Sequence, residues 1–283
     1  MQPCQVLAST TSHKREPLPT TLEIFARLDL RDIDLNLNHM IERGVDLDRV
    51  RTALADNGQH AWIVSGGWCD FFHGEPEIEA TVASVARQVA MARTLDVNRL
   101  RLFFGRAARG EWCARLRDAS VANIQRLADR HPEMSFVFEN HDGASSCPDI
   151  CREILERVDR STVRMNFDPI NFEHAGVDSM TAFRVLQPFI AHVHLKGLDD
   201  GRFCEFGAGA IDLTPLLAEL IASGYRGAFT VEYEGEFDRT LRLYESVRCA
   251  RGVIARLAVS ASGASFETEP RVPRALHMTK KYT

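Results

Sequence analysis

Four residues of this chain have the types and the setting to do chemistry: Glu139, Asp168, His194 and Glu232. Each closes a short alternating apolar stretch. Carboxylates with an imidazole make a donor set for a divalent cation, and a carboxylate beside a carbon acid can take its proton. If these side chains share one buried mouth, three like charges repel and each is costly to desolvate. A divalent cation offsets both costs. Oxygen-dominated ligands with one nitrogen suit Mn, Mg, Co or Fe, and admit Zn. The alternative is a purely structural network in which the acids pair with Arg99, Arg101, Arg164 and Lys196.

Whether the four meet depends on the elements that carry them. The stretch Ile190-Ala-His-Val-His-Leu-Lys196 alternates strictly. Successive strand side chains point to opposite faces, so Ala191, Val193 and Leu195 share one side and His192, His194 and Lys196 the other. The same parity applies elsewhere. Phe136 and Phe138 oppose Val137 and Glu139, with His141 further along; Val163, Met165 and Phe167 oppose Arg164, Asn166 and Asp168; Phe229, Val231 and Tyr233 oppose Thr230, Glu232 and Glu234.

The rest of the chain supplies the frame. Strands are expected at 5–10, 32–38, 61–65, 99–104, 135–140, 162–168, 190–196 and 227–233, and helices at 20–28, 46–55, 78–95, 114–130, 148–158, 180–186, 213–222 and 239–257. In the second strand Asp32, Asp34, Asn36 and Asn38 oppose Ile33, Leu35 and Leu37. Thr20 and Thr21 offer an N-cap for the first helix. Alternating β and α units imply parallel strands with crossover helices, and eight of them over about 255 residues predict an α/β fold of the (β/α)8 TIM barrel type. A doubly wound open sheet is the runner-up, but no GxGxxG loop follows the first strand. Residues 1–257 are assigned to one barrel. Residues 258–283, richer in Ser, Gly and Pro, are expected to form a tail or arm. Active sites of such barrels form at the C-terminal strand ends, where parity places all four residues.

Composition excludes several classes. The chain has 283 residues, 45% hydrophobic and 26% charged, with a formal net charge of −5. That acidic balance speaks against nucleic acid as a partner. No apolar run approaches the roughly 20 residues of a membrane span. Met1 to Pro19 lacks an apolar signal core, so a cytoplasmic location is expected. The seven cysteines are scattered and show no paired spacing, as in a reduced chain.

The order Phe136-Val-Phe-Glu139-Asn-His141, Asn166-Phe-Asp168-Pro, His192-Val-His194-Leu-Lys196, Gly207-Ala-Gly209-Ala-Ile-Asp212, Gly224-Tyr-Arg-Gly227 and Val231-Glu232-Tyr-Glu234 resembles the xylose-isomerase-like barrel superfamily, in particular its sugar-phosphate isomerase/epimerase branch. The match runs from Phe136 to Glu234; before it, only the barrel pattern agrees. The resemblance implies one divalent metal held by Glu139, Asp168, His194 and Glu232. It also implies that Glu139 and Glu232 act as proton-transfer groups on opposite faces of a substrate, and that a second copy of the chain is the expected protein partner. Many sugar epimerases of this group carry a histidine three residues after the aspartate; here Asn171 stands there, and His174 three further on. That departure also separates the chain from the three-zinc apurinic endonucleases.

Asn171, His141, Lys196, Trp68 and Arg202 are the candidate substrate contacts, with Phe71 and Phe72 beside Trp68 as further wall residues. Each has an ordinary alternative: a satisfied loop histidine, a Lys196–Glu234 pair, aromatic packing, a solvated arginine. The expected activity is metal-dependent isomerisation or epimerisation of a small sugar or other polyhydroxylated carbonyl compound, through a metal-stabilised enediolate. Loss of a β-hydroxyl from the same enolate would make a dehydratase of a cyclic hydroxy-ketone, such as 3-dehydroshikimate or an inosose. A sugar-binding barrel without catalysis is the third reading.

Overall fold

The computed structural model describes residues 4–37, 46–72 and 77–261. Asn38 and residues 262–283 of the expected tail lie outside them. The barrel strands are β1 (Val6–Ser9), β2 (Asp32–Asn36), β3 (His60–Ser65), β4 (Arg99–Phe103), β5 (Ser135–Glu139), β6 (Val163–Phe167), β7 (Ile190–Leu195) and β10 (Ala228–Val231). They close in the order β1-β10-β7-β6-β5-β4-β3-β2, and every pairing is parallel. The (β/α)8 expectation is therefore met. A hairpin, β8 (Gly197–Asp199) with β9 (Arg202–Cys204), stands on the loop after β7.

The helices α1 (Leu18–Arg27), α2 (Leu47–Asp56), α3 (Glu77–Thr94), α4 (Ala114–Arg130), α5 (Pro148–Val158), α6 (Pro169–His174), α7 (Ser179–Leu186), α8 (Thr214–Ala222) and α9 (Arg239–Ala261) account for the crossovers. Three differ from expectation for local reasons. α1 begins at Leu18, not at a Thr cap, because Pro19 needs no hydrogen-bonded N–H in a first turn. α6 has six residues, too few to show a period. α9 continues to Ala261, so the helix takes the first residues assigned to the tail. Among the described residues no helix is long and apolar enough to cross a membrane.

Two cores follow from strand parity. Outward side chains such as Phe136, Phe138, Val163, Met165, Phe167, Val193 and Phe229 join the helices in one large apolar layer. Inside the barrel the apolar cluster is small: Leu7, Ile63, Val137 and Ala228, with Ala191 against it. Ala191 is thus a correction to strict alternation. The register shifts between Met165 and Asn166 against β7, so one extra residue turns inward. A similar shift on β2 and β3 leaves Trp62 as the extra residue, exposed and donating to Asp32 Oδ1 at 2.7 Å.

Above that plug the interior is polar. Asp34, Arg101, Asn166 and Thr230, then Ser9, Ser65, Glu139 and His194, point inward from alternating strands, and all are buried. The plug separates this polar column from the floor of the barrel. Ile63→Ala should open a cavity in it and lower the unfolding free energy by about 2–5 kcal/mol, as read from a urea titration.

Candidate metal centre

The ends of β5, β6, β7 and β10 deliver Glu139, Asp168, His194 and Glu232 to one buried spot. One ligand atom from each lies within 4.8 Å of the others. Local sequence explains much of their placement. Asp168 caps α6: its Oδ1 accepts from the Ile170 N–H at 2.9 Å and the Asn171 N–H at 3.0 Å. Pro169 follows at the first helical position, where a missing N–H costs nothing. That leaves Oδ2, with no well-directed hydrogen bond, for the interior.

Asn140 ties β5 to this turn. Its Nδ2 donates to the Asp168 carbonyl at 2.8 Å, and its Oδ1 accepts the Asp168 N–H at 2.9 Å. Asn171 Nδ2 donates to Glu139 Oε1 at 3.2 Å and to the Asn140 carbonyl at 3.0 Å. Asn171 therefore orients a carboxylate from its place behind it. Ser9 Oγ donates to Glu232 Oε1 at 3.4 Å, and His194 Nδ1 lies 3.3 Å from Glu232 Oε2 and 3.5 Å from Glu139 Oε1.

Electrostatics sets the protonation. Burial pushes Glu139 up, but the His194 ring and the Arg101 guanidinium outweigh it and hold the carboxyl at about 2. Burial likewise opposes ionisation of Glu232, and His194 and Lys196 overcome it, holding it well below the usual carboxylate range. Burial raises Asp168, and Lys196 offsets this only in part. Asp34 is pushed up to about 6 by burial, against the pull of His194. Burial would strip the proton from His194, but Glu232 and Glu139 hold it well above the usual imidazole range. Lys196 is likewise kept an ammonium against burial, by Asp168 and Glu234.

These residues fit a divalent cation. Asp34, Glu139, Asp168 and Glu232 are four buried carboxylates, and Arg101 and Lys196 are the buried full cations that face them. With the His194 ring protonated one negative charge remains, and with it neutral, as a metal ligand has to be, two remain. Glu139 Oε2, Asp168 Oδ2 and His194 Nδ1 are buried with ion-pair contacts but no well-directed hydrogen bond. Such atoms in a low-dielectric interior are what a metal ion satisfies.

The salt-bridge network also exists, but in reduced form. Arg101 Nε is 3.1 Å from Glu139 Oε2; Lys196 Nζ is 3.0 Å from Asp168 Oδ2, 2.6 Å from Glu234 Oε1 and 3.9 Å from Glu232 Oε2. Arg164 takes no part: it is exposed, donating to the Pro188 carbonyl. Arg99 lies at the opposite end, lining a floor cavity with Gln5, Trp62 and Arg226. His192 is interior, its Nε2 2.8 Å from Thr230 Oγ1, and burial and the neighbouring His194 keep it neutral.

At the mouth, Trp68 stacks on Phe103 with ring centroids 4.2 Å apart, and His141 meets both rings edge-on. The Arg106 guanidinium covers Trp68 and that of Arg101 covers Phe103, each at 4.2 Å. The wall is a four-member ladder in which two stacked rings lie between two cations. Phe71 and Phe72 do not belong to it; both are buried in the outer core, Phe71 against Phe138 and Phe72 against Trp112. Arg202 is exposed on β9, and its neighbour Phe203 supplies the hairpin's contact instead, 4.6 Å below the Lys196 ammonium. His174 is exposed and packs at a tilt against Phe203, so it is not a ligand candidate.

Asp34, like Ser9 and Asn140, is a site neighbour to which sequence reading assigned no role. Parity had placed it inward, but no motif in the first half of the chain marks it. Its Oδ2 lies 3.8 Å from His194 Nε2.

A model of the xylose isomerase-like TIM barrel family matches residues 20–252. Two curated relatives align with part of the chain. A 3-dehydroshikimate dehydratase of Bacillus anthracis is 22% identical over 131 residues, 45% of this chain and 46% of that protein. An inosose dehydratase of Lacticaseibacillus casei is 29% identical over 137 residues, 40% of this chain and 46% of that protein. The chain spans about half the length of the curated relatives it matches. A solved L-ribulose 3-epimerase superposes with a TM-score of 0.78 at 15% identity, covering 95% of this chain and all (100%) of that one, which is a likeness of fold.

Arg101→Met removes a buried partner of Glu139 and the base of the aromatic ladder. It should lower the unfolding free energy by about 3–5 kcal/mol, the cost of an uncompensated buried charge, in a denaturant titration.

Proposed function

Because the chain belongs to the xylose isomerase-like TIM barrel family, we propose that it is a divalent-metal-dependent isomerase or epimerase of a small polyhydroxylated carbonyl compound. The observation that carries this reading is the pair Glu139 and Glu232, both ionised and both within 3.5 Å of His194 Nδ1. Glu139, Asp168, His194 and Glu232 are the side chains that would hold the metal. When bound, a divalent cation supplies Lewis-acid polarisation of a substrate carbonyl and charge to oppose a developing oxyanion.

The chain's own residues do the remainder. One of the two glutamates, as the carboxylate, takes a proton from the carbon next to the carbonyl; the other, after taking up a proton from solvent, delivers it to the opposite face, and the first then releases its proton to solvent. Return to the same carbon inverts it; return to the neighbouring carbon moves the carbonyl. Asn171 fixes Glu139 from behind, and Ser9 does the same for Glu232, so each carboxylate keeps an oxygen aimed at the centre. The Lys196 ammonium, held between Asp168 and Glu234, is placed to donate to a substrate oxygen. The ring edges of Trp68 and Phe103, whose faces are covered within the ladder, form with His141 an apolar wall that keeps water from that side of a substrate.

A second reading has its own support: both curated relatives named above are dehydratases. In that reaction the first proton transfer is the same, and the carbanion expels a β-hydroxyl as water instead of being reprotonated. His141, at the mouth, is the side chain placed to protonate the leaving oxygen.

Incubation of the Mn-loaded protein with ketoses, inososes and 3-dehydroshikimate in deuterated water tests both readings. Deuterium entering a carbon next to the carbonyl is expected of an isomerase or epimerase; water loss selects the dehydratase. If there is neither exchange nor turnover, and a chelator-treated sample keeps full affinity for a bound sugar, the barrel is a binding protein. Glu232→Gln should reduce turnover by about 10²–10⁴-fold with an unchanged far-UV circular dichroism spectrum. Full activity in that variant would remove Glu232 from proton transfer.

A further inference from the structure

The geometry points to Asp34 as a positioning residue: we infer that its carboxylate selects the tautomer and fixes the plane of the His194 ring, so that Nδ1 is the nitrogen offered to a divalent cation. This rests on the metal-centre reading of the same site. The two ring nitrogens face different partners. Nδ1 lies 3.3 Å from Glu232 Oε2 and 3.5 Å from Glu139 Oε1, on the side where the ligand atoms converge. Nε2 faces the other way, 3.8 Å from Asp34 Oδ2. Both side chains are wholly buried.

A neutral imidazole carries its hydrogen on one nitrogen and a lone pair on the other. A metal needs the lone pair. With a cation on the Nδ1 side, where Glu232 and Glu139 otherwise favour a hydrogen, a carboxylate facing Nε2 favours the ring's one hydrogen there, because the opposite tautomer would aim a lone pair at a negative oxygen. At 3.8 Å the contact is longer than a direct hydrogen bond, so the preference is electrostatic, and it is strengthened because both groups are wholly buried.

Asp34 is itself held for this task. Ser65 Oγ, on the next strand, donates to Asp34 Oδ2 at 3.0 Å. The ring is confined from below by His192, edge-on at 5.6 Å between centroids, and His192 is bonded to Thr230. Arg101, the nearby cation, pairs with Glu139. Asp34 is not in the four-residue ligand group, so its charge acts through the histidine. Carboxylate–histidine–metal arrangements of this kind hold the ligand's orientation and raise its basicity.

The test is metal affinity of the full chain, stripped with a chelator and titrated with Mn or Zn against a chromogenic competitor. Asp34→Asn keeps the shape and removes the charge; it should weaken binding by about 10–100-fold. Ser65→Ala leaves the carboxylate but frees it, and should cost less than Asp34→Asn. Far-UV circular dichroism and thermal melting establish that the variants fold. A measurement on the wild type needs no variant: in the Zn-loaded protein, nitrogen-15 spectra should show His194 with its hydrogen on Nε2 and metal on Nδ1. Affinity within twofold of wild type in Asp34→Asn, or the opposite tautomer in wild type, overturns the inference while the metal reading stands. A wild-type chain that takes up neither Mn nor Zn overturns the metal reading, and this inference with it.

Discussion

Four carboxylates inside one barrel are the constraint to which the rest of this structure answers. Asp34, Glu139, Asp168 and Glu232 are all buried, and isolated buried charges are far too costly to persist. Each has therefore acquired a cation or a hydrogen-bond donor. Arg101 and Lys196, which as lone buried cations would be equally unfavourable, are stable there only because the acids surround them. The mutual dependence is tight: removing any member leaves another uncompensated. Once His194 gives up its proton to act as a ligand, the arrangement falls two positive charges short, and that deficit defines what can bind.

The polar column also explains the division of labour between the two cores. An interior filled with Asp, Arg, His and Asn contributes little hydrophobic free energy. Stability has to come from the layer between strands and helices, where the phenylalanines of β5, β6 and β10 pack. The small inner plug of Leu7, Ile63, Val137 and Ala228 has a different task. It seals the column from the floor, so that the acids above it stay in a low-dielectric setting where their charges act strongly on one another.

The late strands were legible in the sequence because Phe136, Phe138, Val163, Met165, Phe167 and Phe229 mark their outer faces without ambiguity. With outer faces known, Glu139, Asp168, His194 and Glu232 followed by parity. Parity failed at Ala191, where a register shift inserts a residue that no local pattern announces. It was silent about which inward residues touch: Asp34 and Asn171 act through contacts set by barrel closure, at sequence separations of 160 and 32 residues from their partners His194 and Glu139. Arg202 is exposed, in line with the solvated alternative; a charge in a loop is visible in sequence, whereas the hairpin that brings Phe203 to Lys196 is not. Helix α6 was missed for its length, although the Asp168-Pro169 pair is a recognisable cap and first-turn signal.

The ladder of Arg106, Trp68, Phe103 and Arg101 runs from the solvent edge to the Glu139 carboxylate. Its indole belongs to one of three tryptophans in the chain. An indole clamped between a guanidinium and a phenyl ring responds in its emission to any change in either. Trp68 therefore makes the wall of the mouth an intrinsic fluorophore. A shift of Arg101 that moves Phe103 would reach the indole through that ring, at the outer end of the ladder.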